Sequence, residues 1–350
     1  MPPIRKKLSI FRIVNQLIVI FLMQRTELLK KIEQVNAFCF DEICMELFCY
    51  QAKNNELYKN FINLLRLNPK DITIPQQIPF LPISFFKTKV IKTGNWPEEI
   101  IFKSSGTTGT IQSNHYVRST EDYLNNCLKG FSKFYGSPVD YAILALLPSY
   151  LERDGSSLIL MADRFIKLSK YSESGFFLNN MDELVDRLND CMDKNIPVLM
   201  LGVSFALLDF AEMFPMPLRN TVIMETGGMK GRRKELLREA MHTILKNAFK
   251  LDAIHSEYGM TELMSQAYSK GNGIFRCSET MKIFIRDSSD PLTILPVSRN
   301  GAINIIDLAN IDSCAFIATD DIGKLHENGD FEILGRFDSS DIRGCNLLVS

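Results

Sequence analysis

The chain has 350 residues, 46% hydrophobic and 23% charged, with a formal net charge of −1. That balance describes a folded globular protein, excludes a disordered chain, and offers no overall positive field to attract nucleic acid. The length allows one large domain or two sub-domains. The start is basic and carries an apolar run from Leu17 to Met23. Arg12, Asn15 and Gln16 interrupt the approach to it, no small-residue cleavage site follows, and the run is too short to span a bilayer. Residues 1–22 are read as an extension upstream of a start at Met23, and the protein as cytoplasmic, without a membrane span.

Residues 24–66 read as helices, with Leu28, Leu29, Ile32, Val35 and Phe38 at three-to-four spacing. Cys39, Cys44 and Cys49 fall in this segment and are expected in its core. None of the eight cysteines has CxxC or Cys/His metal spacing, so they read as free thiols of a reducing compartment. The proline-punctuated stretch 74–87 is expected to be extended. Beyond residue 120, helices alternate with buried-type strands: helices near 120–134 and 181–193, strands at 141–147, 197–203 and 221–225, and a long helix over 229–249. Its apolar face is read as Leu237, Ala240, Met241, Ile244, Leu245 and Ala248, and its basic start, Lys230 to Lys234, as a solvated face. This alternation argues for an α/β sheet. After residue 273 the chain turns to short strands at 281–287, 301–308, 314–321 and 329–336. His242, His255 and His326 are given structural roles only.

Four stretches carry the chemistry. Ser104-Ser105-Gly106-Thr107-Thr108-Gly109 offers hydroxyls and exposed backbone N–H groups suited to a phosphate, although a flexible surface loop has the same composition. It is not a Walker A loop, which needs Gly, four residues, then Gly-Lys-Ser/Thr. Glu225-Thr226-Gly227-Gly228 sits at a strand-to-helix junction, where a ligand can approach the backbone closely or a turn can need positive φ. Ser256 to Glu262 joins an aromatic face (Tyr258), a hydroxyl (Thr261) and a carboxylate (Glu262) able to hold a divalent ion that bridges phosphates. Ala318 to Lys324, followed by Gly335-Arg336-Phe337-Asp338, offers an acid for ribose hydroxyls and an arginine for a phosphate, though acidic turns are common.

Taken in order, these motifs resemble those of the adenylate-forming enzymes, the acyl-CoA synthetase, adenylation-domain and luciferase superfamily. FLPISFFK, SSGTTG, ETGGMKGRRKEL and GRFDSSDIRGC look most like the LuxE-type acyl-protein synthetases, long-chain-fatty-acid–protein ligases; the resemblance runs from about residue 75 to the end. It implies the superfamily's N-terminal domain, layered α/β sheets with a small β-rich subdomain, lacking the usual C-terminal domain. The segments are then the extension 1–22, a helical region 23–75, the adenylate-forming domain 76–338 and a tail 339–350. The implied activity is activation of a fatty or other carboxylic acid by ATP and Mg²⁺ to acyl-AMP, then acyl transfer to a protein thiol. By resemblance, Ser104 to Gly109 cradle the β- and γ-phosphates, and Thr226, Gly227, Gly228 and Met229 line the adenine and acyl pocket. Tyr258 and the adjoining Gly259 bind at adenine, Thr261 touches the α-phosphate, Glu262 holds Mg²⁺, Asp321 binds the ribose, and Arg336 lies near ribose and phosphates. Cys345 is the implied acyl carrier, its thiol eased toward thiolate by Arg343.

Three departures from the pattern stand out. The lysine after the phosphate loop is missing, with Asn114, His115 and Arg118 as substitute donors. The usual Thr-Gly-Asp is Thr319-Asp320-Asp321, which leaves the ribose contact open between the two acids. The chain ends soon after GRFD, as LuxE-type chains do, without the lysine of the C-terminal domain. The implied partner is an acyl-accepting protein such as a reductase or acyltransferase. The alternatives are a phenylacetate–CoA ligase-like acyl- or aryl-CoA ligase and a non-catalytic nucleotide- or acyl-binding partner of such proteins.

Overall fold

A computed structural model describes residues 23–104, 111–148, 155–178, 180–227 and 236–337. The N-terminal part is helical as expected: α1 (23–33), α2 (Phe40–Asn54) and α3 (Glu56–Leu64). Leu28, Ile32 and Val35 are buried, whereas Phe38 lies in the turn after α1 and is fully exposed. Asn55 ends α2 and starts α3, its side chain accepting from the Tyr58 N–H. Of the three cysteines expected in the core only Cys44 is buried; Cys39 is half-buried and Cys49 exposed. A five-residue step turns an α-helix through about 500°, so the three cannot share a face.

The stretch 74–87 is only partly extended. It holds a 3₁₀ turn at Pro75–Gln77, the two-residue strand β1 (Leu81–Pro82) and one helical turn, α4 (Phe85–Thr88). A hairpin of β2 (Ile100–Lys103) and β3 (Asn114–Val117) follows, with Phe102 opposite His115 and Lys103 opposite Asn114. Next come α5 (Thr120–Tyr135), β4 (Ala142–Leu146), α6 (Ser157–Leu168), β5 (Gly175–Phe177), α7 (Met181–Asp193), β6 (Val198–Val203) and α8 (Ser204–Met213). Ser119, Ser156 and Asn180 cap α5, α6 and α7, each accepting a first-turn N–H. Then come β7 (Thr221–Thr226), α9 (Arg238–Phe249), β8 (His255–Tyr258), β9 (Ala267–Ser269) and β10 (Ile274–Cys277). The strands β11 (Met281–Arg286), β12 (Asn300–Asp307), β13 (Phe316–Leu325) and β14 (Phe331–Arg336) complete the described chain.

One large sheet runs through the molecule in the order β11-β12-β13-β14-β10-β9-β8-β7-β6-β4-β5, with β1 beside β13. From β8 to β5 neighbouring strands are parallel, and β4 and β6 are buried along their whole length because helices cover both faces. From β8 to β11 they are antiparallel; the strands expected after residue 273 are present, but β12 and β13, at 8 and 10 residues, are not short. Two apolar clusters fill the core. One joins the parallel strands to α5–α9; the other joins the N-terminal helices to the antiparallel strands.

The helix predicted over 229–249 begins later, at Arg238. Leu237 is extended (φ −58°, ψ 141°) and exposed, so it lies outside the apolar face, and Ile244 is exposed as well. The buried face is Met241, His242, Leu245 and Phe249. Residues 228–235, including the basic stretch Lys230 to Lys234, lie outside the described residues. No helix among the described residues is long and apolar enough to cross a membrane.

Candidate active site

The described edge of the hydroxyl-and-glycine loop is its neck. Ser104 and Ser113 close it: the Ser104 N–H donates to the Ser113 carbonyl at 3.1 Å, and the Ser113 N–H donates to Ser104 Oγ at 2.9 Å. Ser105, Gly106, Thr107, Thr108 and Gly109 lie outside the described residues, as do Gly228, Met229 and Cys345. Two of the three donors proposed to replace the missing lysine are engaged elsewhere. Arg118 pairs with Asp312 at 3.3 Å. His115 is buried, and its Nδ1–H donates to the Thr261 carbonyl at 2.8 Å. A carbonyl only accepts, so Nδ1 carries the proton. Burial pushes this imidazole down to about 4, despite the Thr261 and Asn310 contacts that favour its charged form, so it is neutral.

Thr261 and Glu262 sit in the irregular connection between β8 and β9, where the backbone has no ladder to hold it. Side chains supply the missing bonds. Beside His115, the Asn310 amide donates to the Glu262 carbonyl at 2.7 Å. The fully buried Asp307 carboxylate accepts from the Met264 N–H at 2.7 Å, from the Ser265 N–H at 3.0 Å, from the Ser265 hydroxyl, and from the Ala309 N–H at 3.2 Å. Asn126 adds a bond to the Met264 carbonyl at 2.8 Å. Glu262 itself is 6% exposed. Burial raises its pKa, the Ser113 hydroxyl and Arg336 partly offset that, and Asp321 adds to it. The neck of the loop, Glu262, Asp321 and Arg336 therefore lie within one electrostatic neighbourhood.

Asp321 is the member of the Asp320–Asp321 pair that faces this neighbourhood. It is buried, the Tyr258 hydroxyl donates to its Oδ2 at 2.7 Å, and Arg336, opposite it in the β13–β14 register, approaches Oδ1 to 3.7 Å. Asp320 is half-exposed and 4.0 Å from Arg336. The Tyr258 ring packs edge-on against Phe275 and Phe331, so Tyr258 also fixes Asp321.

On the parallel half, β7 and β8 pair Thr226 with Glu257. The Thr226 hydroxyl donates to Glu257 Oε2 at 2.8 Å, and Gly227 takes φ +49°. Gly259 leaves room for the Glu257 carboxylate, since a Cβ there would stand 2.4 Å from Oε1 and push that side chain aside. One residue earlier on β7, Glu225 meets Arg238 at 3.1 Å and His242 at 3.6 Å. Burial works against the Glu225 charge, but His242 and Arg238 outweigh it and hold this carboxyl below the usual range. Among the described residues no cation pairs with Glu257. Burial pushes it up to about 7, the Thr226 hydrogen bond eases this, and Glu225 adds to it.

Glu257 gives a pH-dependent expectation. Its folded pKa lies above the ordinary 4.5, so the folded state binds the proton more tightly. The resulting penalty is absent below 4.5, grows as the pH rises toward 7, and is complete above it. Relative to wild type, Glu257→Gln is expected to gain stability with rising pH, by up to roughly 3 kcal/mol. Urea unfolding of both proteins from about pH 5 to about pH 8 checks this, and a difference that stays flat or falls with pH contradicts it.

Among the described residues no group of three or more His, Cys, Asp or Glu side chains could hold a metal ion. The donor set suits a cation of another kind. Glu262 is a buried carboxyl short of positive charge, and magnesium is often held by one protein carboxylate with phosphate oxygens completing its shell. The residues present therefore fit such an ion at Glu262. Sequence reasoning gave Ser113 no role and cast His115 only as a substitute phosphate donor; it missed Glu257, Asp307 and Asn310 altogether. The only sequence trace of the first two is a polar run immediately after the loop.

No protein-family model matches the sequence, and no curated protein matches it. The fold does match solved structures. ATP-bound MatB from Rhodopseudomonas palustris superposes with a TM-score of 0.51 at 17% identity, over 69% of this chain and 49% of that one. An open conformation of 2-hydroxyisobutyryl-CoA ligase in complex with 2-HIB-AMP and CoA gives 0.63 at 11% identity, over 85% and 70%. The same ligase in its thioesterification state gives 0.63 at 12%, over 89% and 71%. The chain thus spans about half the length of the MatB structures it matches. The fold is mixed α/β around a large sheet, as in the domains of adenylate-forming enzymes.

Proposed function

We propose that the protein activates a carboxylic acid, in the first place a long-chain fatty acid, with ATP and Mg²⁺, and passes the acyl group to a protein thiol. The observation that carries the reading is the convergence of the Ser104–Ser113 neck, Glu262, Asp321 and Arg336 from four separate parts of the chain. In the first step a carboxylate oxygen attacks the α-phosphorus and the bond to the β-phosphate oxygen breaks, releasing pyrophosphate and leaving acyl-AMP. Attacker and triphosphate are both anionic, so fixed donors and positive charge must offset their repulsion. In this reading the hydroxyls and N–H groups of Ser104 to Gly109 hold the β- and γ-phosphates, and Thr261 contacts the α-phosphate. Asp321 accepts from the ribose hydroxyls, Arg336 stands by ribose and phosphate, and Tyr258 and Gly259, with Thr226 to Met229, line the adenine and acyl pocket. Glu262 would hold magnesium, which supplies positive charge to the phosphates.

In the second step a thiolate attacks the acyl carbonyl and AMP leaves with the bonding pair. Cys345 is the proposed thiol, with the acyl group then delivered to a partner such as a reductase or acyltransferase. The competing acceptor is coenzyme A, favoured by the structural match to 2-hydroxyisobutyryl-CoA ligase in complex with CoA. Intact-mass measurement after incubation with ATP, Mg²⁺ and a panel of carboxylic acids, without CoA, separates the two. Wild type is expected to gain one acyl mass that Cys345→Ser lacks, while both proteins keep acid-dependent pyrophosphate–ATP exchange. Acyl transfer only when CoA is added replaces the protein-thiol reading with the ligase one, and absence of exchange with every acid rejects activation altogether.

A further inference from the structure

We propose that His115 and Asn310 are positioning residues that fix the Thr261–Glu262 backbone against the hairpin carrying the hydroxyl-and-glycine loop. This rests on the reading that loop and carboxylate serve one nucleotide. His115 lies on β3, two residues beyond the loop's neck, and donates to the Thr261 carbonyl at 2.8 Å. Its ring is boxed edge-on by Phe86 and Phe102, at centroid distances of 5.7 and 6.2 Å, which leaves it little rotational freedom. Asn310 closes the 3₁₀ turn Leu308–Asn310 after β12 and donates to the next carbonyl, that of Glu262, at 2.7 Å. Both side chains are 1% exposed. Two consecutive carbonyls of an irregular loop are thus tied to two different elements. One of these, β3, continues directly from the neck that Ser113 forms with Ser104. The backbone at Thr261 and Glu262 is therefore held by the loop-bearing hairpin, through His115, and by the turn after β12, through Asn310.

Because the contacts are to backbone carbonyls, only His115 and Asn310 can be varied to test them. His115→Phe keeps an aromatic ring in the box and removes the donor; His115→Asn replaces Nδ1–H with an amide donor at similar reach. Misplacing reacting groups by about 1 Å costs on the order of a hundredfold, so His115→Phe is expected to lower kcat for acid-dependent exchange roughly 10- to 100-fold. The KM for the acid should move less than about threefold, and His115→Asn should recover most of the loss. ATP affinity, measured by calorimetry with Mg²⁺ and again with EDTA, is the second readout: His115→Phe should lose most of the gain that Mg²⁺ gives wild type. In a Glu262→Gln background His115→Phe should cost clearly less than it costs wild type, because part of its effect passes through that carboxylate.

A purely structural histidine would lower the melting temperature, leave the Mg²⁺ gain intact, and multiply its effect in the double variant. Either of the last two results overturns the proposal. If His115→Phe does not fold, Asn310→Leu tests the same clamp through the Glu262 carbonyl. A wild type that binds ATP without acid-dependent exchange rejects acid activation, and the Mg²⁺ gain alone then decides on the clamp. A wild type that binds no ATP overturns both.

Discussion

Replacing Glu262 by glutamine is expected to lower acid-dependent pyrophosphate–ATP exchange by about a hundred- to a thousandfold, the scale of losing one preorganised electrostatic group. The substitution is close to a pure charge deletion. Glutamine retains the shape of the side chain, and the backbone bonds from His115 and Asn310 to the Thr261 and Glu262 carbonyls do not involve it. Folding should not suffer, because burial works against the wild-type charge and the variant removes that cost. Loss of exchange with a melting temperature no lower than wild type and unchanged near-UV circular dichroism would therefore report on the reaction. Exchange within about threefold of wild type would remove Glu262 from the chemistry and, with it, the case for magnesium there.

The parts of the site legible in the sequence are those in which chemistry restricts residue type within a few consecutive positions. Hydroxyls between glycines, a Tyr-Gly-Met-Thr-Glu run and an acidic turn followed by Gly-Arg-Phe-Asp can be singled out as candidates without knowledge of the fold, although the loop itself lies outside the described residues. The strands β4, β6 and β7 were legible for the same local reason, as short apolar runs between helical patterns. What holds the site was not legible. His115, Asp307 and Asn310 are single polar residues whose partners are backbone atoms far along the chain, and no side-chain pattern records a backbone partner. His115 even invited the wrong role, since a histidine beside a phosphate loop suggests a donor to phosphate until its ring is seen turned inward. Leu237 was placed on the apolar face of α9 because it continues that face's spacing, but it precedes the helix. Arg238, drawn to Glu225 and lying 5.0 Å over the Phe275 ring, begins the helix after it.

Asp307→Ala is expected to cost about 3–5 kcal/mol of stability, the range for removing one partner from a buried, charged hydrogen-bond network. Asp307 is fully buried and accepts four hydrogen bonds, from the Met264, Ser265 and Ala309 N–H groups and the Ser265 hydroxyl. Removing its carboxylate strands donors that burial keeps from water, and these losses fall on the segment that follows Glu262. Asp307→Asn should cost less than alanine without being neutral. One amide oxygen still accepts, but the NH₂ group then faces N–H donors, an arrangement no rotation relieves for both sides of the carboxylate at once. Urea unfolding should therefore order the midpoints wild type, Asn, Ala, at a common m-value. Activity should fall in the same order even well below the unfolding transition, because the loop bearing Thr261 and Glu262 loses one of its anchors while the sheet beneath it stays intact. Equal midpoints for all three proteins would mean that the loop finds its conformation without Asp307, and that the shape of the site is set by His115 and Asn310 alone.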